Sequence, residues 1–259
     1  MPLSFKEYIS AVGEADLSKK YREYITNGSF PYILELNSKK ERNIYLEGIY
    51  NSIVLKDVAT RKKTIDIPML GSVIKFMFDN VGNLCSSTNI SNAMTSAGRK
   101  ISVHTVESYL ESLLECFVLY KAERYDVKGK QYLSSGYKYY ICDIGLRYYL
   151  LGDKKVDMGH ILENVVYLEL LRRGYTVYVG KVGNSEVDFI TTGESGDEYY
   201  QVALTVGDEK TLARELSPLD NISDHNPKYL LTMDDTPIMS HNGIKQIYVL
   251  DWLLDIPTA

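Results

Sequence analysis

The fold is decided by Gly159–Val206, GHILENVVYLELLRRGYTVYVGKVGNSEVDFITTGESGDEYYQVALTV. Apolar residues at helical spacing predict a helix from about His160 to Arg173, which ends at Gly174. Strand-like runs follow it, because apolar residues there alternate with polar ones or form short bounded runs. The predicted strands are Tyr175–Gly180, Glu186–Thr191 and Glu198–Val206. A helix followed by three strands predicts a mixed α/β layer.

Acidic side chains occur in this stretch at positions that could share one site. Glu163 falls on the apolar face of the helix beside Tyr167 and Leu170, where a carboxylate needs a partner. In the second strand, the two-residue period puts Glu186 and Asp188 on one face. Hard divalent cations prefer carboxylate oxygens at fixed positions, and such sites cut phosphodiesters. The spacing therefore predicts three carboxylates directed at one place.

These residues resemble the PD-(D/E)xK nuclease fold. In that fold a helix glutamate, a strand aspartate and a following Glu-x-Lys hold Mg²⁺ and position the attacking water. Glu163 and Asp188 match the first two acids, whereas Gln201 stands in place of the glutamate and Ala203 in place of the lysine. The resemblance implies a vestigial catalytic set of Glu163, Glu186, Asp188 and Gln201, with Mg²⁺ as the ligand of Glu163 and Asp188.

Three interpretations of this site stay open. The chain could be a Mg²⁺-dependent DNA nuclease in which Lys181 or Lys210 replaces the missing lysine. It could be a nuclease-like domain that has lost activity and now recognises or assembles. The acids could also simply satisfy buried backbone or tyrosine donors. The second interpretation is favoured, because two of the four matched positions lack the catalytic side chain.

Composition excludes several classes of function. The chain has 259 residues, 45% hydrophobic and 24% charged, which is typical of a globular protein of two or three modest domains. Three isolated cysteines and four scattered histidines predict neither disulfides nor a zinc site. No apolar run is long enough to span a membrane and no signal-peptide core is present. We therefore expect a cytoplasmic protein with no membrane partner.

The net charge of −5 conceals an asymmetry. Residues 190–259 carry 12 acidic and 4 basic side chains, a net charge of −8, and the residues before them carry 22 acidic and 25 basic, a net charge of +3. Phosphate backbones bind to clustered lysine and arginine side chains. A polyanionic partner is therefore expected to meet the first two thirds of the chain.

The remaining periodicity predicts three segments, 1–66, 67–152 and 153–259. The first is helical, with helices at Lys19–Thr26 and Lys39–Ala59 that are separated by Gly28-Ser29-Phe30-Pro31. The second has three helices and a hairpin, the order of a winged helix, which is a variant of helix-turn-helix. Its elements are about Met69–Asn80, Thr88–Ser96, Val103–Cys116, Val118–Tyr125 and Tyr137–Cys142. The third adds a helix at Asp208–Leu219 and strands at Lys228–Met233 and Ile244–Leu250. The predicted class is α+β and multidomain, ending in a mixed α/β domain that the PD-(D/E)xK resemblance implies is restriction-endonuclease-like.

Basic residues of the hairpin are the candidates for nucleic-acid binding: Lys121, Arg124, Lys128, Lys130 and Lys138. The region from Tyr120 to Tyr149 also holds eight of the 22 tyrosines, which could serve nucleic acid, protein or packing. On the outward face of the third helix, acidic residues accompany the side chains that could reach bases. The acidic residues are Glu107, Glu111 and Glu115, and the side chains that could reach bases are His104, Ser108 and Ser112. Protein contact or plain packing is therefore favoured over specific DNA readout.

Across nearly its whole length the chain resembles the C-terminal region of a bacterial and archaeal AAA-type ATPase family. The matching stretches include Pro2–Tyr8, Gly28–Pro31, Tyr45–Tyr50, Leu55–Val58, Thr105–Leu110, Lys138–Tyr140, Asp143–Arg147, Glu186–Phe189 and Asp251–Leu254. The resemblance implies a helical lid, a winged helix and an uncharacterised nuclease-like domain, in that order. It also implies, as partners, a nucleotide-binding module outside this chain and either DNA or another protein.

A phosphate-binding loop of the form Gly-x-x-x-x-Gly-Lys-Ser/Thr is absent from the sequence. The amides and the lysine of that loop cradle the phosphates of ATP. ATP is therefore expected only in the module outside this chain, whose full-length parent would be an ATPase. This chain by itself is expected to be neither an ATPase nor an active nuclease.

Overall fold

The structure is a computed structural model that describes residues 1–61, 65–153, 157–193 and 196–256. Two compact units make up the chain. One is formed by Met1–Lys121 with Lys138–Val156, and the other by Ala122–Tyr137 with Asp157–Ala259. Helices are combined with a large mixed sheet, which confirms the predicted α+β class. Among the described residues, every helix is too short or too polar to cross a membrane.

The first unit is mainly helical. Serine or aspartate side chains cap most of its helices, and Ser4 and Ser38 each form a complete capping box. Its helices are α1 (Phe5–Val12), α2 (Leu17–Asn27), a 3₁₀ helix (Pro31–Glu35), α3 (Lys39–Ile49), a π-helix (Tyr50–Asp57), α4 (Val58–Arg61), α5 (Ile67–Asp79), α6 (Ser87–Ser96), α7 (Val103–Glu115) and α8 (Ile144–Leu151), with the short strand β1 (Leu84–Cys85) before α6. The helices predicted from periodicity are confirmed to within about two residues, apart from the π-helical stretch.

Helix α8 is absent from the sequence prediction. Ile144, Gly145, Leu146 and Arg147 are all buried, so its first turn has no solvent-exposed face from which a periodic pattern could be recognised. Asp143 caps it by accepting a hydrogen bond from the Leu146 amide at 3.0 Å. The helix is thus specified by its cap and its burial, and not by amphipathicity.

A buried carboxylate joins α8 to the loop after α2. Asp143 Oδ2 accepts hydrogen bonds from the amide of Ser29 at 2.6 Å and from its hydroxyl at 2.7 Å. Burial raises the pKa of Asp143, and the hydrogen bonds from Ser29, Leu146 and Gly145 offset part of that rise. The backbones also meet closely, because an ideal Cβ at Gly145 would lie 2.3 Å from Gly28 Cα. Two of the stretches that carry the ATPase resemblance therefore contact each other in the fold.

The hairpin and the second unit form a continuous sheet. The hairpin strands are β2 (Leu119–Asp126) and β3 (Gln131–Ile141), of which Ala122–Tyr137 belong to the second unit. The elements that follow are α9 (Met158–Arg172), β4 (Thr176–Val182), β5 (Ser185–Gly193), β6 (Gly196–Ala203), α10 (Glu209–Asp220), β7 (Lys228–Thr232), β8 (Met239–His241), β9 (Ile244–Tyr248) and α11 (Val249–Leu253). The predicted last strand thus ends at Tyr248, and a short helix follows where strand was expected to continue to Leu250.

Strand order within the second unit is β3-β2-β4-β5-β6-β7-β9-β8. Strand β5 is antiparallel to both of its neighbours, β4 and β6, whereas β6 with β7 and β7 with β9 are parallel. Strand β2 runs parallel to β4, with Glu123 opposite Tyr178. The parallel pair β6–β7 requires a crossover connection, and α10 supplies it. Helices α9 and α10 both pack on β5 and β6, so these two central strands carry side chains that face the covering helices.

Candidate functional site

Asp188 lies where the ladder between β5 and β6 gives way to side-chain hydrogen bonds. The last residues paired at this end are Phe189 and Tyr200. Beyond them, Asp188 Oδ2 accepts a hydrogen bond from the Val202 amide at 2.9 Å, and the Asp188 amide donates to Gln201 Oε1 at 3.4 Å. The carboxylate predicted to bind a metal is thus hydrogen-bonded to the neighbouring strand.

Gln201 continues this network to helix α10. Gln201 is only 8% exposed, and its Nε2 donates a hydrogen bond to Glu215 Oε2 at 3.0 Å. Glu215 Oε1 in turn accepts from Arg214 Nε at 3.1 Å and from Nη2 at 2.7 Å. A glutamate at position 201 would add a third carboxylate beside Asp188 and Glu215, which mutual repulsion disfavours. The neutral amide suits this place because it both donates and accepts.

Ala203 occupies the position that the nuclease pattern assigns to lysine. It is 8% exposed and belongs to an apolar cluster with Leu216 and Leu219 of α10 and Leu230 of β7. A lysine here would have to place its ammonium group in apolar surroundings or displace the helix. Alanine in place of lysine at position 203 therefore suits the packing of α10 on the sheet.

The other predicted site residues differ in exposure. Glu163 is 5% exposed within α9, whereas Glu186 is half-buried and lies directly opposite Lys181 of β4. Lys210 is exposed in the first turn of α10. Within the described ranges, no group of three or more His, Cys, Asp or Glu side chains is placed to hold a metal ion. The three-carboxylate site expected from Glu163, Glu186 and Asp188 stays a prediction.

Glu215 is a site residue that the sequence prediction missed. A usable signal was present, because Glu215 lies three residues after Leu212 and four before Leu219 and so falls on the inward stripe of α10. Its side chain is 13% exposed. An acid on an apolar stripe indicates a polar partner in the facing element, and here that partner is Gln201.

The hairpin tip has the most accessible basic residues of the predicted nucleic-acid surface. Lys128 and Lys130 are exposed in the turn, which Asp126 stabilises by accepting hydrogen bonds from the amides of Lys128 at 3.1 Å and Gly129 at 2.9 Å. Arg124 and Lys121 are half-buried. Lys138 is only 5% exposed, so its assignment to a surface for polyanions is wrong. The basic surface is thereby reduced to the turn and its flanks.

Three tyrosine rings pack beside this turn. Tyr125 and Tyr132 of the hairpin lie 5.3 Å apart between ring centroids, and Tyr132 lies 5.4 Å from Tyr178 of β4. Tyr132 is nonetheless 64% exposed. Burial, together with the contact to Tyr132, raises the pKa of Tyr178 to about 12. The tip thus presents an aromatic face next to exposed lysines.

The outer face of α7 is acidic, as its sequence predicted. Glu107, Glu111 and Glu115 are exposed. Ser112, which was expected to be able to reach bases, is fully buried and donates a hydrogen bond to the Ser108 carbonyl at 3.0 Å, so that expectation is wrong. The acidic face disfavours contact between α7 and phosphates.

Comparison with known proteins adds a family match. Residues 18–157 match the family described as a domain of unknown function (DUF8612). A protein described as uncharacterized from Haemophilus influenzae is 41% identical over 257 residues, which cover 98% of this chain and 63% of that protein. A second protein described as uncharacterized, from Methanocaldococcus jannaschii, is 29% identical over 210 residues, which cover 75% of this chain and 47% of that protein. The chain thus spans less than two thirds of each of these relatives. No solved structure matches.

Proposed function

The chain belongs to the family described as a domain of unknown function (DUF8612), and within it we propose that the chain is the C-terminal part of an AAA-type ATPase. In this proposal a nuclease-like domain binds protein or DNA and does not cut it. The observation that carries the proposal is the hydrogen-bond network Asp188–Gln201–Glu215, in which the residues at two positions that the nuclease pattern assigns to metal ligands make internal contacts. The ATPase part rests on the resemblance of the sequence and on the greater length of the relatives.

The arrangement of elements supports nuclease ancestry. Helix α9 carries Glu163, β5 carries Asp188 and the adjacent β6 carries Gln201, which is the order of the PD-(D/E)xK pattern. In the first unit and the hairpin, α5, α6 and α7 precede β2 and β3, which is the order of a winged helix. Both likenesses are consistent with a domain that once handled DNA.

The side chains at the site favour binding over cleavage. A metal-dependent nuclease needs carboxylate oxygens that are free to coordinate the ion and a group that activates water. Asp188 accepts a backbone hydrogen bond, Gln201 carries no charge, and Ala203 can neither donate a proton nor stabilise charge. These features favour the interpretation that the domain now recognises or assembles.

A cleavage assay tests the proposal. We expect the purified chain to leave supercoiled plasmid and branched DNA intact with Mg²⁺ or Mn²⁺. Cleavage that depends on the metal and disappears in Asp188→Ala would refute it in favour of the nuclease. The ATPase part has a separate test, the gene sequence upstream of codon 1, where we expect a Gly-x-x-x-x-Gly-Lys-Ser/Thr loop. An upstream reading frame without that loop would refute this part.

DNA binding through the hairpin tip is a second candidate, favoured by the exposure of Lys128, Lys130 and Tyr132 in one turn and its flank. Each lysine that no longer neutralises a phosphate should lower the slope of log affinity against log salt by roughly 0.9. We therefore expect Lys128→Gln with Lys130→Gln to reduce the slope by about 2 in a fluorescence anisotropy titration.

A matched control is available in the same unit. Lys210 and Lys245 are also exposed but lie outside the hairpin, so Lys210→Gln with Lys245→Gln removes the same total charge. Equal decreases of the slope in the two double variants would indicate that net charge alone matters and would contradict binding by the tip. A salt-independent affinity would contradict it as well.

A further inference from the structure

An aromatic pocket opens in the second unit, apart from the Asp188–Gln201–Glu215 network. It has a volume of about 330 Å³, and we call it the tyrosine pocket after Tyr175, Tyr200 and Tyr229, which line it with Trp252. Tyr200 stacks on Tyr229 with 5.0 Å between centroids and 24° between planes. Trp252 meets Tyr200 edge-on at 5.8 Å. Tyr200 and Trp252 are only 3% and 8% exposed, so the rings that a ligand can reach are the half-buried ones of Tyr175 and Tyr229.

Arg173 forms part of the wall and is held in place by several contacts. Its guanidinium group lies 4.0 Å from the centroid of the Trp252 ring and donates to the Trp252 carbonyl at 2.6 Å. Glu169 and Asp255 neutralise its charge, at 3.0 Å and 2.7 Å respectively. The face of Trp252 is thus already covered by a cation of the protein itself. The ligand-binding part of the pocket is the part formed by the tyrosines.

Glu198 supplies a negative charge among the tyrosines. Its carboxylate accepts a hydrogen bond from the hydroxyl of Tyr200. Tyr200 and Tyr175 are both neutral phenols, since burial first and then the charge of Glu198 raise the pKa of each. The phenol of Tyr200 orients the carboxylate without cancelling its charge. A cation that entered the pocket would therefore meet both a carboxylate and aromatic rings.

We propose that the tyrosine pocket binds an alkylammonium group, either a lysine side chain of a partner protein or a free amine. Ring quadrupoles attract cations, and a nearby carboxylate adds an ion pair. The long-range field agrees with this, because residues 190–259 carry a net charge of −8. A nucleobase could stack on the same rings, but its phosphates would be repelled by that charge.

The test is isothermal titration calorimetry of the intact chain with choline and with neohexanol, its uncharged carbon isostere. Cation–π attraction is worth about 0.5–2 kcal/mol, so choline should bind roughly 2- to 30-fold more tightly than the isostere. Glu198→Gln and Tyr229→Leu should each weaken choline binding by roughly 5- to 30-fold. Tyr229→Phe keeps the ring and should stay within roughly twofold of the parent chain.

Controls make each outcome decisive. Tyr132→Leu removes an exposed ring of the hairpin outside the pocket and should leave choline binding unchanged. Thermal melting of every variant checks that loss of binding is not loss of fold, and Tyr229→Phe serves as the folded reference. Equal binding of choline and neohexanol, or full affinity in Glu198→Gln, would overturn the proposal.

The source of the ammonium group is decided by two further ligands. A lysine-containing peptide that binds more tightly than spermidine would assign the pocket to a protein partner, and the reverse would assign it to a free polyamine. Both results support an alkylammonium site. Binding of adenosine in the absence of choline binding would overturn it in favour of a nucleobase. None of these outcomes bears on the cleavage assay, so the two proposals can fail separately.

Discussion

Replacing Gly145 by alanine should destabilise the first unit by about 2–4 kcal/mol. An added Cβ would lie 2.3 Å from Gly28 Cα, 2.4 Å from Gly28 N and 2.9 Å from the carbonyl carbon of Asn27. Carbon atoms in contact normally lie about 3.5–4.0 Å apart, so the backbone at residues 27–28 would have to move by roughly 1 Å or more. That movement would lengthen the bonds from Ser29 to Asp143, now 2.6 Å and 2.7 Å.

The magnitude combines three effects. Overpacking costs about 1–3 kcal/mol, and lengthening a hydrogen bond to a buried carboxylate loses part of the about 1.5–3 kcal/mol that such a bond contributes. The higher helix propensity of alanine returns at most about 1 kcal/mol, because position 145 lies in α8. The net destabilisation should lower the melting temperature by roughly 5–15 °C, measured by circular dichroism.

Gly48→Ala is the matched control. Gly48 lies in α3 of the same unit, and an added Cβ there would have no atom within 4 Å. This variant should be neutral or stabilised by up to about 1 kcal/mol. A double-mutant cycle with Ser29→Ala tests the mechanism, since the two changes should be non-additive by more than about 0.5 kcal/mol. Equal free energies of unfolding for the Gly145→Ala and Gly48→Ala variants would refute the reasoning.

Three further predictions concern buried polar groups. Gln201→Glu should lower the free energy of unfolding at neutral pH by about 1–3 kcal/mol, because it adds a carboxylate beside Asp188 and Glu215, and part of the loss should disappear at acidic pH in urea titrations. Ala203→Lys should cost about 3 kcal/mol or more by burying an ammonium group, and an unchanged urea midpoint would show that the apolar cluster tolerates it. Burial raises the pKa of Asp143 above 3.8, so the folded chain binds that proton more tightly than the unfolded chain. The free energy of unfolding of the parent chain, minus that of Asp143→Asn, should therefore fall as the pH rises from 3.8 to the folded-state pKa, because residue 143 of the variant does not titrate. A rise of this difference over the same pH range would contradict the prediction.

Much of the architecture could be predicted from local pattern. The helix at α9 and the strands at β4, β5 and β6 follow from periodicity, because a helix or a strand that is buried on one face repeats its apolar residues with the period of its backbone. The pattern failed at α8, whose first turn is buried all round, and after Tyr248, where a short apolar run suits a strand or a helix equally.

The candidate site was only partly predictable. Gln201 and Ala203 could be identified as departures from the nuclease pattern, but their consequences depend on contacts with α10 that no local pattern specifies. Lys138 was assigned to a basic surface because strand spacing alone does not show which neighbours cover a residue, and it is buried. Accessibility is a property of the assembled structure, and residue type sets only its average.

The sequence by itself determined the order of most helices and strands, the absence of a phosphate-binding loop, and that Gln201 and Ala203 stand where the nuclease pattern has glutamate and lysine. These depend on residue identity and on backbone periods of a few residues. Only the tertiary structure decided that Gln201 links Asp188 to Glu215, that the hairpin tip joins the sheet of the second unit, and that the rings of Tyr200 and Tyr229 stack beside Glu198. The reason is that strand register and helix packing bring together residues far apart in the chain, and those choices are made by the burial of the whole core.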